Sequence, residues 1–330
     1  DSQVMVSTTF NPFAPRGTVS EIIELRIYPI KSCRGIKLDG TTLTRQGLDL
    51  DRRWMFVDET KHEFITIRQK SQMTLIDTAI SSDGEELSIS IRDTTISVRV
   101  PARPSIEWLE ANTKLQQVEI WEHKTDAYKY GDEINLAFTD FFGEKVSLVY
   151  KGPTPRICGG NGAAKFLGRE ESVNFPDVLP VQIASQSSLQ ELNSRLTSKG
   201  EEAITIERFR PNIIIKGDVP WSEDNWKTVR INGSPSLFAS VTGGNRDALD
   251  LDVVARCARC QVPNVDPDTA VKHGKEPWNT LMSYRRVDEG MKYKPCFGML
   301  CCPRNEDKVA VGMRFEVLET TDKHYYQKGF

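Results

Sequence analysis

At 330 residues the chain can form two modest domains or one large one, and 38% hydrophobic with 27% charged residues marks an ordinary soluble globular protein. A net charge of -3 argues against general binding of nucleic acid or other polyanions. Seven cysteines, an odd number without the spacing of a small disulfide framework, point to a reducing compartment with free or metal-bound thiols.

Residues 1–20 lack periodicity and read as a flexible tail. No apolar run approaches the roughly 20 residues that span a bilayer. Because the chain starts at Asp1, a targeting or anchoring segment would lie outside it, and membrane attachment would come only through that missing segment. Glu21 to Ile30, EIIELRIYPI, alternates and carries β-branched residues, which predicts a strand with Pro29 near its end. KSCRG follows, Lys31 to Gly35, a turn whose lysine, hydroxyl and arginine suit an anion as well as solvent. Next, TRQGLDLDRRWMFVDE predicts a turn and then a strand beginning at DRRW, where alternation lets only one of Arg52 and Arg53 face a common site. FITIRQ, MTLIDTAI, ELSISI and TTISVRV predict an antiparallel meander from Phe64 to Val100. QVEIWEH, Gln117 to His123, reads as one more strand, and DEINLAFTDFFGEKVSLVY as a helix ending at Gly143 followed by a strand.

The glycine-rich, basic stretch 151–175 lacks the form of a phosphate-binding P-loop and reads as a mobile lid or an inter-domain connection. It divides an N-terminal domain, 21–150, from a second domain, 151–330. SQSSLQELNSRL predicts a helix with Leu189, Leu192 and Leu196 on one face and a capping box at Ser187 with Gln190 or Ser188 with Glu191. In IERFRPNIIIKG, Pro211 between Arg210 and Asn212 implies an edge or a bulge. WKTVRINGSPSLFASV predicts a hairpin across Asn232-Gly233, KHGKEPWNTLMSYRR a short helix opening near Pro277, and the stretch from PCFGMLCCP to RFEVLE strand, turn and strand. Short strands outnumber helices. The fold class is therefore β-rich α+β, built from barrels or barrel-like sheets with a few helices.

The stretch CARCQVPNVDPDT, Cys257 to Thr269, carries the chemistry. A thiolate is a soft ligand for transition metals, and a neighbouring cation favours it; Arg259 directly precedes Cys260. Pro267 forces Asp266 toward extended backbone and Asp268 favours a turn, so the two carboxylates suit a turn-stabilising pair as well as proton transfer. Residues three apart on a strand face opposite sides, so Cys257 and Cys260 need not share a site. A zinc knuckle is the plain alternative, with Cys301 and Cys302 completing the set, although adjacent cysteines lack the usual two-residue gap. Lys31, Arg52, Arg210 and Arg259 sit at strand ends or irregularities and would, if they converge, bind a multiply anionic small molecule near Cys260.

Taken in order, YPIKSCRG, DRRW, RFRPN and CARCQVPNVDPDT resemble the MOSC family, the molybdenum cofactor sulfurase C-terminal domain, with its N-terminal β-barrel partner, from about Glu21 to Leu318. VDPDT and the later KEP, TL and YR pieces resemble its amidoxime-reducing branch of mitochondria. The resemblance implies an N-terminal β-barrel-like domain plus a MOSC β-barrel, and a molybdenum–pterin cofactor with Cys260 as metal ligand. It implies that Lys31 and Ser32 meet the pterin's phosphate end, that Arg52, Arg210, Asn212 and Arg259 bind the cofactor, and that Asp266 and Asp268 stand near the chemistry. The implied reaction is reduction of N-hydroxylated compounds, amidoximes and hydroxylamines, with electrons from cytochrome b5 and its NADH-dependent reductase. The implied location is the mitochondrial outer membrane facing the cytosol, with a cytoplasmic protein as the alternative. A cofactor carrier or sulfurase-type domain without reductase activity is the alternative function. The sequence departs from the family at Val178 and Leu179, where small hydroxyl residues are usual, at Ala258 for a serine, and at Leu300 for an aromatic contact.

Overall fold

The computed structural model describes residues 19–233 and 248–329. Most of the predicted tail (1–18) and the second arm of the Asn232-Gly233 hairpin (234–241) lie outside the described residues. The fold is β-rich, with five α-helices among the described residues.

Its centre is a closed barrel of seven strands. Around it run Ile213–Ile215, Val181–Ser185, Cys296–Pro303, Leu249–Ala258, Trp226–Asn232, Arg314–Thr320 and Val19–Ile27, and the last pairs back onto the first with Leu25 opposite Ile213. Only Val181–Ser185 and Ile213–Ile215 run parallel; the other barrel neighbours are antiparallel. Alternation fills the interior: Leu249, Leu251 and Val253 are buried while Asp250 and Asp252 between them are not. Register shifts at Val253/Ala255 and Arg256/Ala258 bend the strand that leads to the cysteines.

The strand Val19–Ile27 comes from the N-terminal half, yet it is hydrogen-bonded into this barrel on both edges. The rest of that half holds a four-stranded antiparallel sheet in the order Trp54–Asp58, Val146–Lys151, His123–Lys129 and Lys114–Ile120, together with the meander Ile76–Ile80, Glu86–Ile91 and Ser97–Pro101. The helix Asp132–Phe142 packs Phe138 and Phe142 on Phe56 and ends at Gly143 in left-handed backbone, as the sequence predicts.

Several local expectations change. FITIRQ is not a regular strand: the Thr66 carbonyl accepts from the backbone N–H groups of Gln69 and Lys70, and Gln69 Oε1 accepts from Thr66 N, so the chain turns and carries Arg68 with it. QVEIWEH is two strands and a turn. Trp121 and Glu122 take φ of 51° and 66° between Ile120 and His123, a two-residue hairpin without the glycine or asparagine that would announce it. The helix Gln186–Ser198 starts before the predicted capping boxes, with Ser185 as its N-cap; Ser187 and Ser188 are buried within its first turn. Its three leucines pack as expected. Within the 151–175 stretch Arg156 is buried and donates to the carbonyls of Asn174 and Pro176, fixing the residues that precede Asp177.

Candidate functional site

The first barrel strand leads into Tyr28, which is fully buried, with Arg52 and Arg210 over its ring at 4.7 and 4.2 Å to the centroid. Gly35 lets the chain cross that ring, since a Cβ there would come within 2.5 Å of Tyr28 Cε1. Ser32, Arg52 and Arg210 all take left-handed backbone, at φ 69°, 48° and 57°. Such conformations cost a non-glycine residue roughly 1–3 kcal/mol and gather where surrounding structure imposes them for a purpose. Arg52 sits in this turn just before its strand, and Arg53 diverges to Tyr150 and Asn174.

Neighbouring strands bring these residues to one cavity of about 320 Å³. Lys31, Ser32, Arg52, Arg210, Asn212, Arg259 and Cys260 all line it; Asp266 and Asp268 do not. Lys31 is buried, donates to the Phe175 carbonyl at 3.0 Å and pairs with Asp177. Burial lowers its pKa to about 8 even against the attraction of Asp177. Burial alone would raise Asp177, but Lys31 and Arg68 hold it well below the usual carboxylate range, so at neutral pH Asp177 is charged and Lys31 largely so. Asn212 is consumed by the fold: its side chain accepts from Arg52 Nη1 and Gln182 N and donates to the Arg26 carbonyl.

Two guanidiniums, that of Arg259 buried and that of Arg210 partly buried, define what the cavity accepts. Arg210 donates to the Cys33 carbonyl at 2.8 Å, and Arg259 to Gln182 Oε1, the Phe209 carbonyl and Cys257 Sγ. Neither forms a salt bridge with a carboxylate among the described residues. Arg210 Nη2, Arg259 Nε and Gln182 Nε2 are buried without a partner. Buried donors left open in this way suit an anionic ligand.

The thiols differ from their expected surroundings. Cys257 and Cys260 line the same cavity, because the strand ends at Ala258 and the chain turns, with Arg259 N bonded to the Pro295 carbonyl. Arg259, adjacent to Cys260 in sequence, bonds Cys257 at 2.9 Å instead. The cation beside Cys260 is Arg68, which also pairs with Asp177 at 2.7 Å and lies over the Trp121 ring. Sequence reasoning missed Arg68, Asp177, Gln182 and Trp121. Arg68 was hidden in an apparent strand, and Asp177 had only its place before the departing Val178 and Leu179 to mark it.

Asp266 and Asp268 form a turn. Asp266 Oδ1 accepts from Asp268 N and Thr269 N, and Oδ2 pairs with Arg208 at 2.8 Å. Asp268 is 65% exposed and bridges to Arg34, while Arg92 donates to its carbonyl. These contacts fasten the turn to the N-terminal half.

The N-terminal part, residues 19–145, matches the family model for the MOSC N-terminal beta barrel domain, and residues 170–316 match that for the MOSC domain. Mitochondrial amidoxime reducing component 2 of Bos taurus is 32% identical over 295 residues, covering 86% of this chain and 78% of that protein. The chain belongs to the MOSC family. Mitochondrial amidoxime-reducing component 1 of Homo sapiens is 28% identical, over 89% of this chain and 82% of its own. Molybdenum cofactor sulfurase of Arabidopsis thaliana is 33% identical over 84% of this chain, which spans 32% of that protein's length. In this MOSC protein the four departing residues, Val178, Leu179, Ala258 and Leu300, all line the cavity. The zinc alternative has no cage: Cys301 faces the barrel core and Cys302 a separate cluster, and no metal-holding group of three His, Cys, Asp or Glu occurs among the described residues. All seven cysteines are free. No helix among the described residues is long and apolar enough to cross a membrane.

Proposed function

We propose that this chain is a molybdenum-cofactor-dependent oxidoreductase that reduces N-hydroxylated compounds such as amidoximes and hydroxylamines. The observation that carries the reading is the pair of guanidiniums, Arg210 and Arg259, each with a buried N–H group that has no hydrogen-bond partner, in the same cavity as the thiol of Cys260. A phosphate-bearing cofactor with a soft metal fits that donor set. Lys31, Ser32 and Arg210 hold the phosphate end, Arg52 and Asn212 fix the backbone around it, and Arg259 with Gln182 contacts the remaining polar edge. Cys260 ligates the metal, with the Arg68 guanidinium beside it. When bound, the cofactor supplies the two-electron chemistry that, with two protons, converts N–OH to N–H and water. Asp266 and Asp268 are assigned to holding the loop. The reaction class draws on the names of the relatives from Bos taurus and Homo sapiens. Following the family resemblance of the sequence motifs, cytochrome b5 and its NADH-dependent reductase are proposed to deliver the electrons, at the mitochondrial outer membrane.

A second reading, a cofactor carrier or sulfurase-type domain, draws on the equally similar plant sulfurase. One preparation separates the two. Purified from a host that makes the cofactor, the chain is expected to hold about one molybdenum and one pterin and, with cytochrome b5, its reductase and NADH, to reduce benzamidoxime to benzamidine. Loaded protein that accepts electrons but turns over no N-hydroxylated compound leaves the carrier reading; stoichiometric zinc without pterin sinks both.

A further inference from the structure

The cavity has two unlike walls. One is cationic, around Lys31, Arg52 and Arg210; the other is apolar, where Val178, Leu179, Leu300 and Cys257 join one cluster. The aromatic member of that cluster is Tyr326, which also lines the cavity. It comes from the C-terminal segment, beyond residue 316 where the MOSC match ends.

That segment is built in. His324 Nε2 bonds the Trp226 carbonyl, and Arg256 Nη1 donates to the His324 carbonyl at 3.1 Å. Asp288 Oδ1 accepts from Tyr326 N at 2.9 Å, and Asn161 clasps the chain on either side, donating to the Tyr325 carbonyl and accepting from Gln327 N. Two glycines admit the backbone: a Cβ at Gly290 would lie 2.2 Å from the Tyr326 carbonyl oxygen, and one at Gly160 would lie 2.5 Å from that of Gln327. Five polar bonds and two backbone close approaches fix a segment whose neighbour Tyr325 is half exposed, while Tyr326 is turned inward.

We infer that Tyr326 is a binding residue of the cavity, its ring forming part of the wall for the planar heterocyclic portion of the cofactor, so that the C-terminal segment belongs to the site. This rests on the proposed cofactor reading. Aromatic rings favour planar heterocycles, and the opposite, cationic wall takes the phosphate. Burial pushes the Tyr326 phenol up to about 12, so the ring meets the ligand uncharged at physiological pH.

The test compares wild type, Tyr326→Phe, Tyr326→Leu and Tyr325→Leu, each as the full chain made in a cofactor-producing host. Pterin released during gel filtration and dialysis is measured by the fluorescence of its oxidised form, beside each variant's melting temperature. Tyr326→Leu is expected to lose pterin about three- to tenfold faster, Tyr326→Phe to stay near wild type, and Tyr325→Leu to match wild type. A contact readout accompanies this: nitration of Tyr326 by tetranitromethane, followed by mass spectrometry, should slow in loaded protein while Tyr325 reacts equally in both forms. Retention by Tyr326→Leu equal to wild type, or nitration of Tyr326 indifferent to loading, overturns the inference and leaves the cofactor reading standing. Wild type that holds no pterin overturns the cofactor reading itself, and the inference with it.

Discussion

Cys257 and Cys260 lie three residues apart in one cavity and are held by different arginines, Arg259 on the first and Arg68 on the second. Their substitutions should therefore separate. Cys260→Ala is expected to abolish N-reduction with the melting temperature nearly unchanged, because the thiol is half-buried and its partner Arg68 keeps its ion pair with Asp177. Cys257→Ala removes the acceptor of one Arg259 N–H, so cofactor affinity should fall by a few-fold, about 1 kcal/mol, with turnover of loaded enzyme kept. Equal loss of metal and stability in both variants would return the pair to a shared structural site. At this scale the motifs carried most of the cavity: Lys31, Arg52, Arg210, Arg259 and Cys260 are each legible as cations or a thiol at strand ends. Their pairing was not. Sequence adjacency put Arg259 on Cys260, but the turn after Ala258 swings its guanidinium to Cys257, and Arg68 arrives from a distant segment. Asp266 and Asp268 show the converse, since a Pro between two carboxylates reads correctly as a turn, and the turn is what they make.

Elements were legible where an alternating or helical pattern was bounded by its own punctuation. The helix closed by Gly143 and the meander strands with SDGEE between them are such cases. They were illegible where long-range burial replaced a local signal, as in the turns at Thr66–Gln69 and Trp121–Glu122. The short 3-10 element Ser222–Asn225 carries a further consequence of burial. Glu223 is fully buried and neither carboxylate oxygen finds good hydrogen-bond geometry among the described residues. Burial pushes its carboxyl up to about 7, against a smaller opposing effect of the Ser188 hydroxyl. The folded pKa lies above the unfolded value of 4.5, so the folded chain binds more protons between them. The stability this protonation gives is complete below 4.5 and is lost as pH rises through about 7. Glu223→Gln should flatten that part of the profile, so that the melting temperature of wild type falls between pH 5 and pH 8 by more than that of the variant. Parallel profiles in urea or heat would remove Glu223 as the cause.

The whole molecule is tied together by its first described strand. Val19–Ile27 pairs with Ile213–Ile215 on one side and Arg314–Thr320 on the other, closing a barrel that otherwise belongs to the C-terminal half. A sequence pattern marks a strand but not its distant partner, so this crossing could not be read from the sequence. Ile22, Leu25 and Ile27 of that strand are fully buried in the barrel core. At roughly 1.5–3 kcal/mol for each buried aliphatic side chain, their removal would cost about 5–9 kcal/mol, comparable with the whole stability of many domains. It would also open two unpaired edges, on Ile213–Ile215 and Arg314–Thr320, where chains aggregate. A fragment of residues 146–330, although it contains the entire MOSC match, is therefore expected to lack a cooperative thermal transition and to precipitate when made alone. Co-expression with residues 19–145 should recover a soluble complex that melts as one unit, because the missing strand and the cavity residues Lys31, Ser32, Arg52 and Arg68 return together. A soluble 146–330 fragment with a sharp melting transition of its own would mean that the barrel does not need its first strand. The cavity would then be an interface between two independently folded parts.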